Sequence, residues 1–322
     1  MAELAQTHEI EAIEMRKAYC DALIDAAKTN DRVVVLDCDL SSSMGTKNFA
    51  KQFPNRAINC GIAEANACGV AAGLSATNFI PFVHSFAVFT SRRIYDQIFI
   101  SCAYAGLNVK LIGGDAGVSA AVNGGTHMAF EDVGILRNIP GITIVEASDS
   151  SMMKDIVPKI VKDYGVTYLR MPRKQVHKIY KDDSTFEIGK AQVLRDGLDV
   201  TIIASGLCVY EALCAADKLK QEGISVRVVD MFTIKPIDSE CIIESAGKTG
   251  AIVTAENHNI INGLGSAVAE VLAEHAPIPM ERVGVQDQFG EVGPQAYLME
   301  RFELTAKTIC EKVHKVMSRK SK

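Results

Sequence analysis

Three groups of residues could do chemistry. The first is a single acid, Glu64, in the stretch CGIAEANACGVAAGLSA (residues 60–76), which holds no Lys or Arg to pair with it. From spacing alone the simpler account is an end-of-helix charge that complements the helix dipole. The alternative is a buried acid kept protonated by apolar surroundings, able to share its proton with a ligand nitrogen. The second group lies in HSFAVFTSRR (84–93), where Phe86 and Phe89 stand three apart ahead of Arg92 and Arg93. If residues 86–93 open a helix, both rings share a face suited to stacking on a flat heterocycle, although core packing is the commoner fate of two Phe. The third is the loop GGDAGVSAAVNGGTHMAFED (113–132), rich in Gly and Ala, with Asp115, Asn123 and His127 as its polar points. Long structured loops with polar tips tend to be functional, and His127 is suited to carrying a proton or binding a hydroxyl. A weaker candidate is Ser205–Gly206 in SGLC, either an anion site at a helix N-terminus or, more simply, an ordinary strand-to-helix turn.

The elements that must position these residues can be read from the alternation of short apolar runs with helical patterns. RVVVLDCDL, NFIPFVHSF, NVKLIGGDAG, GITIVEAS and VTYLRMP read as strands. Between them, GIAEANACGVAAGLSA, TSRRIYDQIFISCAYAG, FEDVGILRNI and SSMMKDIVPKIVKDY read as helices. Continuous apolar strands alternating with helices predict a parallel sheet covered on both faces. The charged stretch 172–190, poor in aliphatics, breaks the pattern. A second α/β set begins with AQVLRDGLDVTIIASG and runs through SVRVVDMFTIKPID and TGAIVTAEN to a helix over 263–275. The expected organisation is two α/β domains, 1–175 and 191–322, joined by a linker at 176–190.

A chain of 322 residues favours two domains over one. The net charge of −5 gives no general attraction to nucleic acid, and no apolar run is long enough to span a bilayer. The first residues, MAELAQTHEIEAIEMRKAYCDAL, read as an amphipathic helix carrying acids, unlike a signal or transit peptide. Nine cysteines without a CxxC pair predict free thiols in a cytoplasmic protein. The seven histidines show no HExxH spacing, so a protein-built metal site is not expected. Neither GxGxxG nor GxxxxGK[ST] occurs.

In order, GIAEANACGVAAGL, SFAVF, NGGTHMAFED, LRNIPGITIVEASD and YLR resemble the motifs of thiamine-diphosphate enzymes, most of all transketolase. The likeness spans 30–175 and, more loosely, the rest, including DMFTIKPID and TAENHNIINGLGSAVAE. It implies an aminopyrimidine-binding domain followed by a transketolase C-terminal domain. The family's diphosphate domain carries a GDG motif and an Asn that hold magnesium, and this chain has no GDG. The resemblance therefore implies the C-terminal subunit of a split transketolase. Its N-terminal partner would hold the diphosphate and most of the Mg2+ site, in an α2β2 assembly formed through self-association of this chain. The implied reaction transfers a two-carbon ketol unit from a ketose, such as a sugar phosphate, to an aldose.

Residue by residue, the resemblance makes Glu64 and His127 catalytic. It places Asp39, Glu64, Phe86, Phe89 and Arg92 at the thiamine cofactor, Arg92 standing where many transketolases have Tyr. Ser43, Asp115, Asn123, His127 and Arg170 fall at the substrate, with Arg170 matching an Arg that binds the sugar phosphate. Two positions depart from the family: Asn123 replaces an Asp that reads a substrate hydroxyl, and Asp115 replaces a His that helps hold the phosphate. They point to another ketose, for instance a branched or modified sugar phosphate. Two other readings stand beside this one. The first is a β subunit of a 2-oxo acid dehydrogenase or a deoxyxylulose-phosphate-synthase-like chain; the second is a non-catalytic binding subunit.

Overall fold

The computed structural model describes residues 2–320. Its first half contributes β1 (Val33–Asp37), β2 (Ala57–Asn59), β3 (Ile80–Phe86), β4 (Lys110–Gly114), β5 (Thr143–Glu146) and β6 (Thr167–Met171). The second half contributes β7 (Gln192–Arg195), β8 (Val200–Ala204), β9 (Val226–Asp230), β10 (Thr233–Lys235), β11 (Ile252–Asn259) and β12 (Met280–Val285). Two sheets result, ordered β10-β5-β6-β4-β3-β1-β2 and β12-β11-β8-β9-β7. All neighbours are parallel except β10 against β5 and β7 against β9, each at a sheet edge. The expectation of two largely parallel α/β domains is borne out.

Alternation along the strands explains the layers. Val33 and Val35 of β1 join one core with Tyr19 and Leu23 of the helix Met15–Thr29 and Ile156 of the helix Ser150–Lys162. Val34 and Leu36 point the other way, onto Ala67, Cys68 and Ala71 of the helix Glu64–Ala76. Every residue of β1, β3, β4 and β6 is buried, as a sheet covered on both faces requires. The second sheet is covered likewise, by Cys208–Gln221 and Ala306–Met317 on one face and Ser239–Thr249 and Leu264–His275 on the other. Among the described residues no helix is long and apolar enough to cross a membrane.

Three features differ from the sequence reading. The amino-terminal helix begins only at Met15. Before it the chain runs extended, because its backbone finds partners in a distant segment: Ala5 N donates to Ile179 O and Glu11 N to Val176 O, both at 2.9 Å. Residues 176–190, although free of helix and strand, are fastened down by this pairing and by the buried Val176, Ile179, Tyr180 and Phe186. Finally, β10 leaves its own half of the chain to form the edge of the first sheet. Lys235 secures it there, donating to the carbonyls of Arg137 and Ile139, both at 2.7 Å.

Candidate active site at the carboxyl edge of the first sheet

Parallel strands end together, and ligands of such sheets bind beyond their carboxyl ends. Phe86 closes β3 and pairs in register with Gly114, the last residue of β4. Glu64 opens its helix beside this edge, with 2 % of its surface exposed. Ser85 Oγ donates to Glu64 Oε1 at 2.9 Å, and Arg93 Nη1 to Oε2 at 2.8 Å. The expectation of an acid without a cation is thus corrected: the partner comes from 29 residues further along the chain. It is Arg93, not Arg92, that faces Glu64. Its guanidinium also lies 3.7 Å over the Phe89 ring, a cation–π contact.

The two phenyl rings do meet, but not on a helix. Phe86 belongs to β3, and a turn returns the chain so that Phe89 N donates to Phe86 O. The ring centroids lie 6.2 Å apart. His127 stands edge-on to both, at 5.7 Å from Phe86 and 5.3 Å from Phe89. The Nδ1 of His127 shares a hydrogen bond with Thr126 Oγ1 at 2.9 Å. Glu64, Arg93, Phe89, His127 and Phe86 therefore form one continuous cluster of buried acid, cation and rings. Arg92 turns away to Glu131 at 2.7 Å and lines a cavity of about 520 Å³ with Phe130, Asp287 and Phe289.

Next to this cluster, Asp115 follows β4 in a left-handed conformation (φ 54°) with 1 % exposure. Its Oδ2 pairs with Arg173 at 3.2 Å and accepts from Asn123 Nδ2 at 3.4 Å. Its Oδ1 and the Arg173 Nε are buried without a hydrogen-bond partner. Burial pushes the Asp115 carboxyl up to about 6, against the pull of Arg173, Arg16 and Lys174. The second domain positions this loop, since Asn257 accepts from Val118 N at 2.9 Å and donates to Ala116 O at 3.0 Å. The tip of Met44 packs against Gly114, where a Cβ would lie 2.6 Å from its sulfur and displace that side chain. Met44 and Ser43 belong to the short helix Ser41–Met44, and Asp39 lies just before it. Asp37 holds it by accepting from Leu40 N at 2.5 Å and Thr46 Oγ1 at 2.8 Å. Asp39 itself is exposed, in a left-handed conformation, and receives Asn59 Nδ2 at 3.2 Å. Arg16 reaches the carbonyl of Ser43 at 3.4 Å.

Arg170 corrects the expectation of a phosphate ligand. It is fully buried in β6, bonded to Asp132 at 2.8 Å, to Glu146, to Ala129 O at 3.1 Å and to Asn257 O at 2.8 Å. Burial works against its charge, but Asp132 and Glu146 outweigh that and hold the guanidinium above its usual range. Glu146 in turn accepts from Ser205 Oγ at 2.7 Å. The turn Ser205–Gly206 therefore receives an anion from the chain itself, and Arg170 joins the two domains instead of meeting a ligand.

A buried acid thus stands beside two tilted rings at the carboxyl edge of a parallel sheet. The transketolase pyrimidine-binding domain matches residues 11–178 and the transketolase C-terminal domain matches 189–309. The chain belongs to the transketolase family. It is 51 % identical to a 6-deoxy-6-sulfo-D-fructose transketolase subunit of Clostridium sp. (strain MSTE9), over 95 % of each chain. It is 36 % identical to an apulose-4-phosphate transketolase subunit of Phocaeicola vulgatus, over 93 % of this chain and 96 % of that one. Among solved structures, a split gene transketolase described as an inactive beta4 tetramer superposes with a TM-score of 0.89 and 45 % identity. That match covers 97 % of this chain and 100 % of the other. The likeness is thus to subunits of split transketolases along their whole length.

Three residues at the candidate site received no role from the sequence: Arg93, Ser85 and Arg173. Ser85 had a signal, since strand alternation sets it off from Phe86. Arg93 and Arg173 each stand within three residues of an arginine that the resemblance points to, Arg92 and Arg170, and sequence order alone does not say which of two neighbouring arginines faces the site.

Proposed function

We propose that this chain is the C-terminal subunit of a heteromeric, thiamine-diphosphate-dependent transketolase that moves a two-carbon ketol unit from a ketose to an aldose. The observation that carries the reading is Glu64, a buried carboxylate whose second oxygen is held only by a cation that is 43 % exposed. Arg93 can swing outward, leaving Oε2 to share a proton with a pyrimidine ring nitrogen while Ser85 keeps Oε1 in place. Phe86 and Phe89 supply an apolar wall for the ring, so the donor set fits the aminopyrimidine half of the cofactor. Thiamine diphosphate, when bound, supplies the electron sink for breaking a carbon–carbon bond. His127, steadied by Thr126 through Nδ1, presents Nε2 to a substrate hydroxyl. Asp39 and Ser43 border the entrance, and Asn123 and Asp115 meet the sugar.

Among the described residues no cluster of three or more His, Cys, Asp or Glu could hold a metal ion. An N-terminal partner subunit holds Mg2+ and the diphosphate, in an α2β2 assembly located in the cytoplasm. The split relatives support this reading by their matching length. The test is reconstitution. The chain co-purified with a transketolase N-terminal subunit should transfer ketol units when thiamine diphosphate and Mg2+ are present. Transfer by this chain alone would overturn the split assignment.

A further inference from the structure

The charges around Asp115 extend that reading to the substrate's far end. Arg173 and Lys174 follow β6, and Arg16 projects from the first turn of the helix Met15–Thr29. All three act electrostatically on Asp115. Glu14 pairs with Arg16 at 2.7 Å and with Lys174 at 3.4 Å. Three cations against two carboxylates leave one net positive charge. Two of its atoms, Asp115 Oδ1 and Arg173 Nε, are buried without a hydrogen-bond partner. Asn123 ties it to the loop that carries His127, so a sugar reacting beside His127 would extend toward it.

We propose that the Asp115–Arg173 pair determines substrate charge, selecting a ketose whose far end carries one permanent negative charge, as a sulfonate does, over one ending in a phosphate dianion. A monoanion brings the cluster to neutrality and is held by Arg173, with Arg16 and Lys174 behind it. The cost of stripping water from the anion grows with the square of its charge, whereas its attraction to the cluster grows only linearly, and the buried carboxylate of Asp115 repels a dianion twice as strongly at short range. A phosphate has a second ionisation near 6 and is mostly dianionic above neutral pH, whereas a sulfonate has none. Specificity then arises from a repulsive element as well as an attractive one.

This inference rests on the transketolase reading, and one experiment separates the two. The reconstituted complex is given 6-deoxy-6-sulfofructose and fructose 6-phosphate as donors with one common aldose acceptor. At pH 8 the wild-type kcat/KM should favour the sulfonate by about 10-fold or more. The ratio should narrow at pH 6, where the phosphate gains a proton and Asp115 begins to, while Arg173, Arg16 and Lys174 stay charged. Asp115→Asn keeps the shape, removes the charge and should bring the ratio down about 10-fold, mainly by improving the phosphate. A wild-type preference for phosphate, a ratio flat with pH, or no change in Asp115→Asn overturns the inference while leaving ketol transfer intact. Absence of transfer with both donors overturns the transketolase reading and this inference with it. The wild-type pH comparison needs no variant, so misfolding of Asp115→Asn cannot shield the proposal.

Discussion

Arg170 and Glu64 are both buried ions in the same domain, and they are built in opposite ways. Arg170 is enclosed by two carboxylates and two carbonyls from three separate segments, and nothing of it reaches the surface. Glu64 has one fixed donor, Ser85, and one movable one, Arg93. The first arrangement is saturated and can only hold the fold together. The second keeps an oxygen that a ligand can claim. Burial alone therefore does not mark a functional ion; what marks it is whether its partners can leave.

The sharpest way to break this contrast is Glu64→Gln. Ketol transfer by the reconstituted complex should fall by about 10²–10⁴-fold, the range for loss of a proton-transferring group. The melting temperature should hardly move, because Gln keeps the Ser85 contact and Arg93 is free to face water. Activity retained at the wild-type level would remove Glu64 from the chemistry. Arg170→Met should do the reverse. It strands Asp132 and Glu146 without their cation and should lower stability by about 3–5 kcal/mol. Thermal unfolding checks this, and an unchanged melting temperature would show that the network is not what joins the domains. The smallest effect concerns Asp230, buried between Ser148 and Tyr180, which donate to it at 2.7 Å each. Burial pushes its carboxyl up to about 7. The folded chain thus binds this proton more tightly than the unfolded chain, and the stability gained at low pH is lost as pH rises toward 7. Asp230→Asn should flatten the pH dependence between about 4 and 7, where the wild type loses on the order of 1 kcal/mol per pH unit through this group. A slope identical to wild type would rule Asp230 out as its source.

Much of the architecture was legible because it depends on local pattern. Runs such as RVVVLDCDL and NVKLIGGDAG are apolar on both faces, and only a covered strand makes use of that. Spacing alone favours an end-of-helix charge for Glu64 and core packing for Phe86 and Phe89; it is the ordered resemblance to transketolase that singles them out with His127, and the structure gathers all four at one edge. What stayed hidden depends on distant pairing. The extended stretch before Met15 has helical periodicity but gives its hydrogen bonds to residues 176–181. Arg92 and Arg93 are adjacent in a tight turn, and only the folded chain shows that one reaches Glu64 and the other Glu131. Arg170 and Arg173 differ in the same way: the first lies inside β6, the second just past its end.

The strand β10 has a consequence for anyone who would work with the first domain by itself. A fragment ending before Thr233 would lack the strand that covers β5 and the amine of Lys235 that secures the turn at Arg137 and Ile139. Its β5 would present a bare row of amides and carbonyls, an invitation to pair with another copy. The point where the two family domains abut is therefore a poor place to cut: the border drawn along the chain and the border drawn in space are different lines.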